Sequence, residues 1–275
     1  MAPSRNRAAR RSRRRWWPSA QQRRRWWRGF RRQSSAAQLA AVFGVALLLF
    51  TAINLAYQVA RKPSELFFPV SGVLNKTPTE TWRQYSEIFN RYSTGVITPT
   101  FLAAIAQVEA SGNPVARTYW RWTWTSQPFE IYRPASSAVG MYQMTDGTFA
   151  EARHYCIRNH AVVEQGVWSD WHSCWFTDLY ARVLPSDAAE LTSAYLDWHV
   201  AQILQKHHAG ARTLQQKQEL AALIHLCGAG AGDEFARRGF RLAAGQRCGD
   251  HETRIYMSRV AAFEQVFARL AQGGV

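Results

Sequence analysis

Lysine is almost absent from this 275-residue chain, with four against thirty arginines, and acids number 19 against 34 bases. Such an arginine bias is what a GC-rich genome produces and says little about chemistry. Acids are missing altogether from residues 1–32, which hold thirteen Arg, so most of the net charge of +15 belongs to one end. The remainder, with 21 bases and 19 acids, is close to neutral. Cysteine, proline and glycine are also scarce, at 4, 10 and 17, which excludes collagen-like chains and disulfide-dense small domains. Neither HExxH nor paired CxxC occurs, so the common zinc signatures are missing. No repeat of 20 to 50 residues is visible, which excludes a solenoid. Only one long apolar run exists, and a multi-pass membrane protein is excluded with it.

What is present is a large apolar share, 47%, with 12 Trp, 14 Phe and 10 Tyr, enough to bury a sizeable core. Residues 36–57 are almost wholly apolar and, at about 1.5 Å per residue, reach across a hydrocarbon core of about 30 Å. The dense Arg before them outweighs Arg61 and Lys62 after them, which keeps the amino-terminal tail in the cytoplasm. The expected organisation is an Arg/Trp-rich cytoplasmic tail (1–35), a transmembrane helix (36–58), a connector (59–84) and one exported domain (85–275). In a bacterium this places the chain in the inner membrane, single-pass, with its bulk in the periplasm. A cleaved signal peptide is the rival reading, but the apolar core is long and Ala56 to Ala60 is a weak cleavage site. Ser12, Arg13, Arg14 and Arg15 give only a chance twin-arginine pair.

Trp16, Trp17, Trp26, Trp27 and Phe30 alternate with the Arg blocks. Indoles favour the headgroup level and each Arg adds about 1 kcal/mol at an anionic leaflet, so the tail reads as membrane-associated. Nucleic acid, gripped by stacking and phosphate pairing, is the weaker alternative because the membrane lies next in the chain. All four cysteines follow the span, where an oxidising compartment permits disulfides. Local spacing suggests Cys156 with Cys174 and Cys227 with Cys248, although three connectivities are possible. His154, His160 and His172 accompany the first pair, yet without a ligand spacing; no metal and no cofactor are expected.

The exported part reads as mainly α. A helix is expected over residues 79–91, and a second capped by Thr98 with Pro99 at its first position. Others begin at Asp146 (running to about His160), Ser186, Thr213 and Asp250. No sustained alternation of period two appears. Residues 117–137 form an aromatic stretch that is either an insertion packed on its own domain or a platform for sugar faces.

Glu109 ends the apolar stripe that starts at Thr98, just before Ser111, Gly112, Asn113 and Pro114. Burial there disfavours the charged carboxylate and raises its pKa, as a general acid requires near neutral pH. Three further segments follow: Gly140, Met141, Tyr142 and Gln143; Ile224, His225, Leu226, Cys227 and Gly228; and Glu252, Thr253 and Tyr256. In this order the chain resembles the soluble lytic transglycosylase domain family, which is lysozyme-like and similar to goose-type lysozyme, over about residues 85–270. The resemblance implies a lysozyme-like helical domain whose single glutamate, Glu109, cleaves peptidoglycan between N-acetylmuramic acid and N-acetylglucosamine, with Tyr256 close to it. It also implies glycan contacts from Ser111, Gly140, Met141, Tyr142, Gln143 and His225.

Two positions depart from the family pattern. Ala110 stands where a serine usually follows the glutamate, and Ile224–His225–Leu226–Cys227–Gly228 replaces Ala-Tyr-Asn-Ala-Gly. These departures motivate an alternative, a degenerate domain that binds glycan strands as a scaffold of an envelope, secretion or conjugation machine. A hydrolytic muramidase is a third reading, and needs a second acid such as Glu130 or Asp146.

Overall fold

The computed structural model describes residues 19–67, 69–167, 169–170 and 173–273. Most of the expected Arg/Trp tail, including Trp16, Trp17 and the Ser12–Arg15 pair, lies outside them, as does His172. The chain divides into two compact units, Met1–Ala56 and Tyr57–Val275.

In the first unit, α1 (Ala20–Arg31) starts at Ser19, whose hydroxyl and the Gln22 side chain cap each other's backbone. Helix α2 (Ser35–Arg61), which begins here and ends in the second unit, carries no charge before Arg61. Its 27 residues extend about 40 Å, long and apolar enough to cross a membrane.

The second unit is mainly helical. Helices α3 (Pro78–Arg91), α4 (Pro99–Ala110), α5 (Asp146–Ala152), α6 (Pro185–Lys206), α7 (Leu214–Cys227), α8 (Ala229–Arg237) and α9 (Thr253–Gln272) surround one core. Helix α4 runs through its middle: Phe101, Leu102, Ala103, Ala104, Ile105 and Ala106 are all buried. The alanines allow close packing against α9, which contributes Tyr256, Val260 and Phe267. Trp82 of α3 lies 5.8 Å from the Phe267 ring. Each such fully buried large side chain contributes about 1.5–3 kcal/mol. Thr77 with Glu80 and Thr98 cap α3 and α4, each followed by proline, as their sequences imply.

Three two-stranded antiparallel hairpins decorate the helices: β1 (Trp120–Trp122) with β2 (Tyr132–Pro134), β3 (Tyr155–Arg158) with β4 (Ala161–Glu164), and β5 (Arg247–Cys248) with β6 (His251–Glu252). The second corrects the expected helix from Asp146 to His160. Thr145, not Asp146, is the cap, and the helix stops at Ala152. Asn159 and His160 both adopt positive φ, at 49° and 61°, which makes a two-residue turn whose twist suits a hairpin. Tyr155 and Ile157 then pack with Ala194 of α6, and Cys156, on the opposite face, is buried in its bond to Cys174.

Both disulfides pair as local spacing suggests, Cys156–Cys174 and Cys227–Cys248, with Cα atoms 5.6 and 5.4 Å apart. Among the described residues no group of three His, Cys, Asp or Glu side chains is placed to hold a metal.

The segment expected to be a connector is packed rather than extended. It contains 3₁₀ turns at Pro63–Phe67 and Ser71–Leu74, and α3 already begins at Pro78. Glu65 is buried, and its Oε2 accepts from Arg117 Nη1 and Trp120 Nε1, each at 2.8 Å. Lys62 Nζ stands 3.4 Å from the other oxygen, a charge contact rather than a hydrogen bond, and donates to the carbonyls of Ser136 and Ala138. Further along, Asn113 Nδ2 donates to Asn75 Oδ1 at 2.9 Å and to the carbonyl of Ser71.

Candidate active site

The segments singled out in the sequence meet at helix ends. Glu109 occupies the last turn of α4, which stops because Ser111 adopts the left-handed conformation and Gly112 follows at φ +64°. A Cβ at position 112 would overlap the Thr81 hydroxyl, so α4 turns away from α3 only with glycine there. Tyr256, in the first turns of α9, donates from its hydroxyl to Glu109 Oε1 at 2.6 Å. His225, in the last turn of α7, places Nε2 3.4 Å from the same oxygen. No other partner of Oε2 is found among the described residues, and the Glu109 side chain keeps 17% of its surface exposed. One carboxylate oxygen is therefore held by protein while the group stays accessible.

The electrostatics reverse one expectation. Dehydration is the largest influence on Glu109 and pushes its pKa up, but the close contact and charge of His225, the Tyr256 hydroxyl and the charge of His251 together pull harder. The net result is a carboxyl held below its ordinary range, ionised in the free protein, not a dry protonated acid. The reason lies in the two histidines, which the sequence does not bring next to position 109 until the chain is folded. Tyr256 is pushed well above its ordinary range, first by burial and then by the Glu109 charge, so it remains a donor.

The remaining expected glycan contacts divide. Met141 and Tyr142 are fully buried in the hydrophobic core, which corrects their assignment as substrate contacts: neither side chain is at a surface. Gly140, also buried, adopts φ +83°, and a Cβ there would strike the Arg182 carbonyl. Its N–H donates to the Ala116 carbonyl at 2.8 Å. Gln143 spends its amide on the carbonyls of Ala116 and Gly140, at 3.2 and 3.0 Å. The 140–143 segment thus fixes the loop that follows Glu109 from beneath. Ser111 is partly exposed and its carbonyl accepts from Lys76 N–H at 2.8 Å.

The acids considered as a second catalytic group are committed elsewhere. Glu130 is buried and paired with Arg61 and with Arg133, the latter at 2.7 Å; Asp146 pairs with Arg182 at 2.6 Å. Glu190, which sequence reading missed, is a more serious rival. It borders a cavity of about 510 Å³ with Arg91, Tyr92, Arg158, His160 and Tyr180. Burial raises its pKa, yet both its oxygens are occupied, Oε1 by the Ile157 N–H at 3.0 Å and Oε2 by the Tyr180 hydroxyl at 2.6 Å. A carboxyl so enclosed holds β3 against α6 and offers no oxygen to a ligand.

No family model matches this chain, and no curated protein matches it in sequence.

Proposed function

We propose that this chain is a membrane-anchored lytic transglycosylase with a lysozyme-like domain, cleaving peptidoglycan from the periplasmic side of a bacterial inner membrane. Its amino terminus would be cytoplasmic, residues 36–58 its anchor, and glycan strands its principal partner. The observation that carries the reading is the contact between Tyr256 and Glu109, 147 residues apart, at 2.6 Å, with His225 on the same oxygen. Three of the motif segments converge on one accessible carboxylate.

One carboxyl group suffices if the nucleophile belongs to the substrate. In the proposed reaction Glu109 gives its proton to the glycosidic oxygen. It then accepts the proton of the muramic C6 hydroxyl as that oxygen attacks C1, yielding a 1,6-anhydro end. An internal hydroxyl has an effective molarity on the order of 10⁵ M or more, enough to beat water. The depressed pKa means that the acid must be reloaded. A glycan covering Oε2 removes the remaining water and strengthens the upward push of dehydration. Tyr256 and His225 hold Oε1, so the proton chemistry falls to Oε2.

The resting ionisation of Glu109 favours the second reading, a scaffold that binds glycan without cutting it for an envelope or conjugation machine. Full-length protein incubated with sacculi, with products read by mass, separates the two. Release of anhydromuropeptides that Glu109→Gln abolishes is the expected outcome; sacculus binding without release would establish the scaffold. Reducing-end products would indicate a hydrolase instead.

A further inference from the structure

The β1–β2 hairpin and the end of α2 run alongside each other in opposite directions, and the contacts are ordered. At the base of the hairpin, Trp120 Nε1 donates to Glu65 at 2.8 Å. One step nearer its tip, Glu130 pairs with Arg61. At the tip itself the Phe129 carbonyl accepts from Gln58 Nε2 at 2.6 Å, and the Phe129 ring lies 5.4 Å from that of Tyr57. Moving from base to tip therefore means moving from Glu65 back to Tyr57, toward the apolar run that Tyr57 directly follows in the chain. The tip carries Trp124, fully exposed, and Trp122, 72% exposed, with Arg121 exposed beside them.

We propose that this hairpin tip is a second membrane contact: Trp122 and Trp124 insert into the lipid headgroup region on the side of the bilayer that the domain occupies. Three observations support lipid as the occupant. The tip is tied by Tyr57, Gln58 and Arg61 to the point where the chain leaves the apolar run, which fixes its depth near the interface. Indole rings with Arg beside them are the composition that membrane interfaces select, because the ring is apolar and its N–H and the guanidinium stay wet. Trp124 is fully exposed, and Trp122, which lays one face on the Tyr132 ring at 4.7 Å, still leaves most of its surface open. Helix and hairpin then form two contacts with one bilayer. The proposal rests on Ser35–Arg61 crossing the bilayer and is independent of glycan cleavage.

The test uses full-length protein labelled with fluorotryptophan in liposomes of phosphatidylethanolamine and phosphatidylglycerol, with the two resonances assigned from Trp122→Phe and Trp124→Phe. Nitroxide on the lipid headgroup is expected to broaden both resonances away, while a nitroxide confined to water leaves them visible. Co-flotation with the liposomes but broadening by the aqueous agent alone would overturn the proposal and leave the span intact. Protein that fails to float overturns both. A third outcome, in which chitooligosaccharide shifts the two resonances and lipid nitroxide does not, would make the tip a sugar platform and likewise sink the membrane contact.

Discussion

Glu109 and Glu190 are both largely buried glutamates, each receiving a tyrosine hydroxyl at 2.6 Å, yet they are displaced in opposite directions. Dehydration dominates at Glu190 and raises its pKa, whereas at Glu109 the same push is overcome by His225, Tyr256 and His251. Their geometry differs in the same sense. Glu190 has a donor on each oxygen and is 3% exposed; Glu109 carries both partners on one oxygen. Burial and a tyrosine partner are thus insufficient to identify a reactive carboxyl. What separates the two is an oxygen without a donor among the described residues and an imidazole beside the other one.

The comparison can be broken most sharply by substitution. Glu109→Gln is expected to lower glycan cleavage by about 10²–10⁴-fold, the usual contribution of a general acid–base group, while Glu190→Gln leaves the rate close to wild type. Anhydromuropeptide release rates from sacculi decide it, and a comparable loss in both variants would erase the distinction.

The two disulfides offer a second contrast. Opening either Cys156–Cys174 or Cys227–Cys248 by serine pairs should cost about 3 kcal/mol in denaturant unfolding, from loops of 18 and 21 residues. Only the second should also reduce turnover under conditions where the fold is intact, because Cys227 follows His225 by two residues at the end of α7. Smaller still, Tyr256→Phe removes a hydrogen bond to a charged group, about 1.5–3 kcal/mol, and should raise the Glu109 pKa as read from the alkaline limb of the pH–rate profile, where a general acid loses its proton. Tyr180→Phe should leave that limb unmoved.

The subtlest test is the sign of stability against pH. A depressed folded pKa at Glu109 contributes stability above the unfolded value near 4.5, and that stability is lost as pH falls through the folded pKa. A raised folded pKa at Glu190 does the reverse: its contribution is complete below the unfolded value and disappears as pH rises through the folded one. Unfolding curves from acid to neutral pH should therefore shift in opposite senses for the two Gln variants. Equal slopes would contradict the assigned directions.

Much of the fold was legible because it is written in local signals. Thr98 and Pro99, Thr213, and the apolar faces of α3, α6 and α9 state their helices directly. The β3–β4 hairpin was not, since Asn159 and His160 lack the glycine that usually marks such a turn, and Cys156 to Ile157 continues an apolar pattern that also suits a helix. Glu109, His225 and Tyr256 were singled out in the sequence and lie together in the fold, but the lowered pKa of Glu109 was not legible. Spacing places a carboxyl at a helix end; it does not say that an imidazole from α7 will reach the same oxygen. Met141 and Tyr142 show the opposite failure, where residues of a recognisable segment turn inward and only Gly140 and Gln143 shape the loop.

The packing of Tyr57 to Lys62 on the domain bears on what a cut near the end of α2 would do. A cut after Lys62 would remove Gln58, Arg61 and Lys62, leaving Glu65 to Arg117 and Trp120, Glu130 to Arg133, and the Phe129 carbonyl without the Gln58 donor. A cut that spares those groups must fall before Tyr57. Removal of residues 57–62 and retention of these contacts are for this domain mutually exclusive.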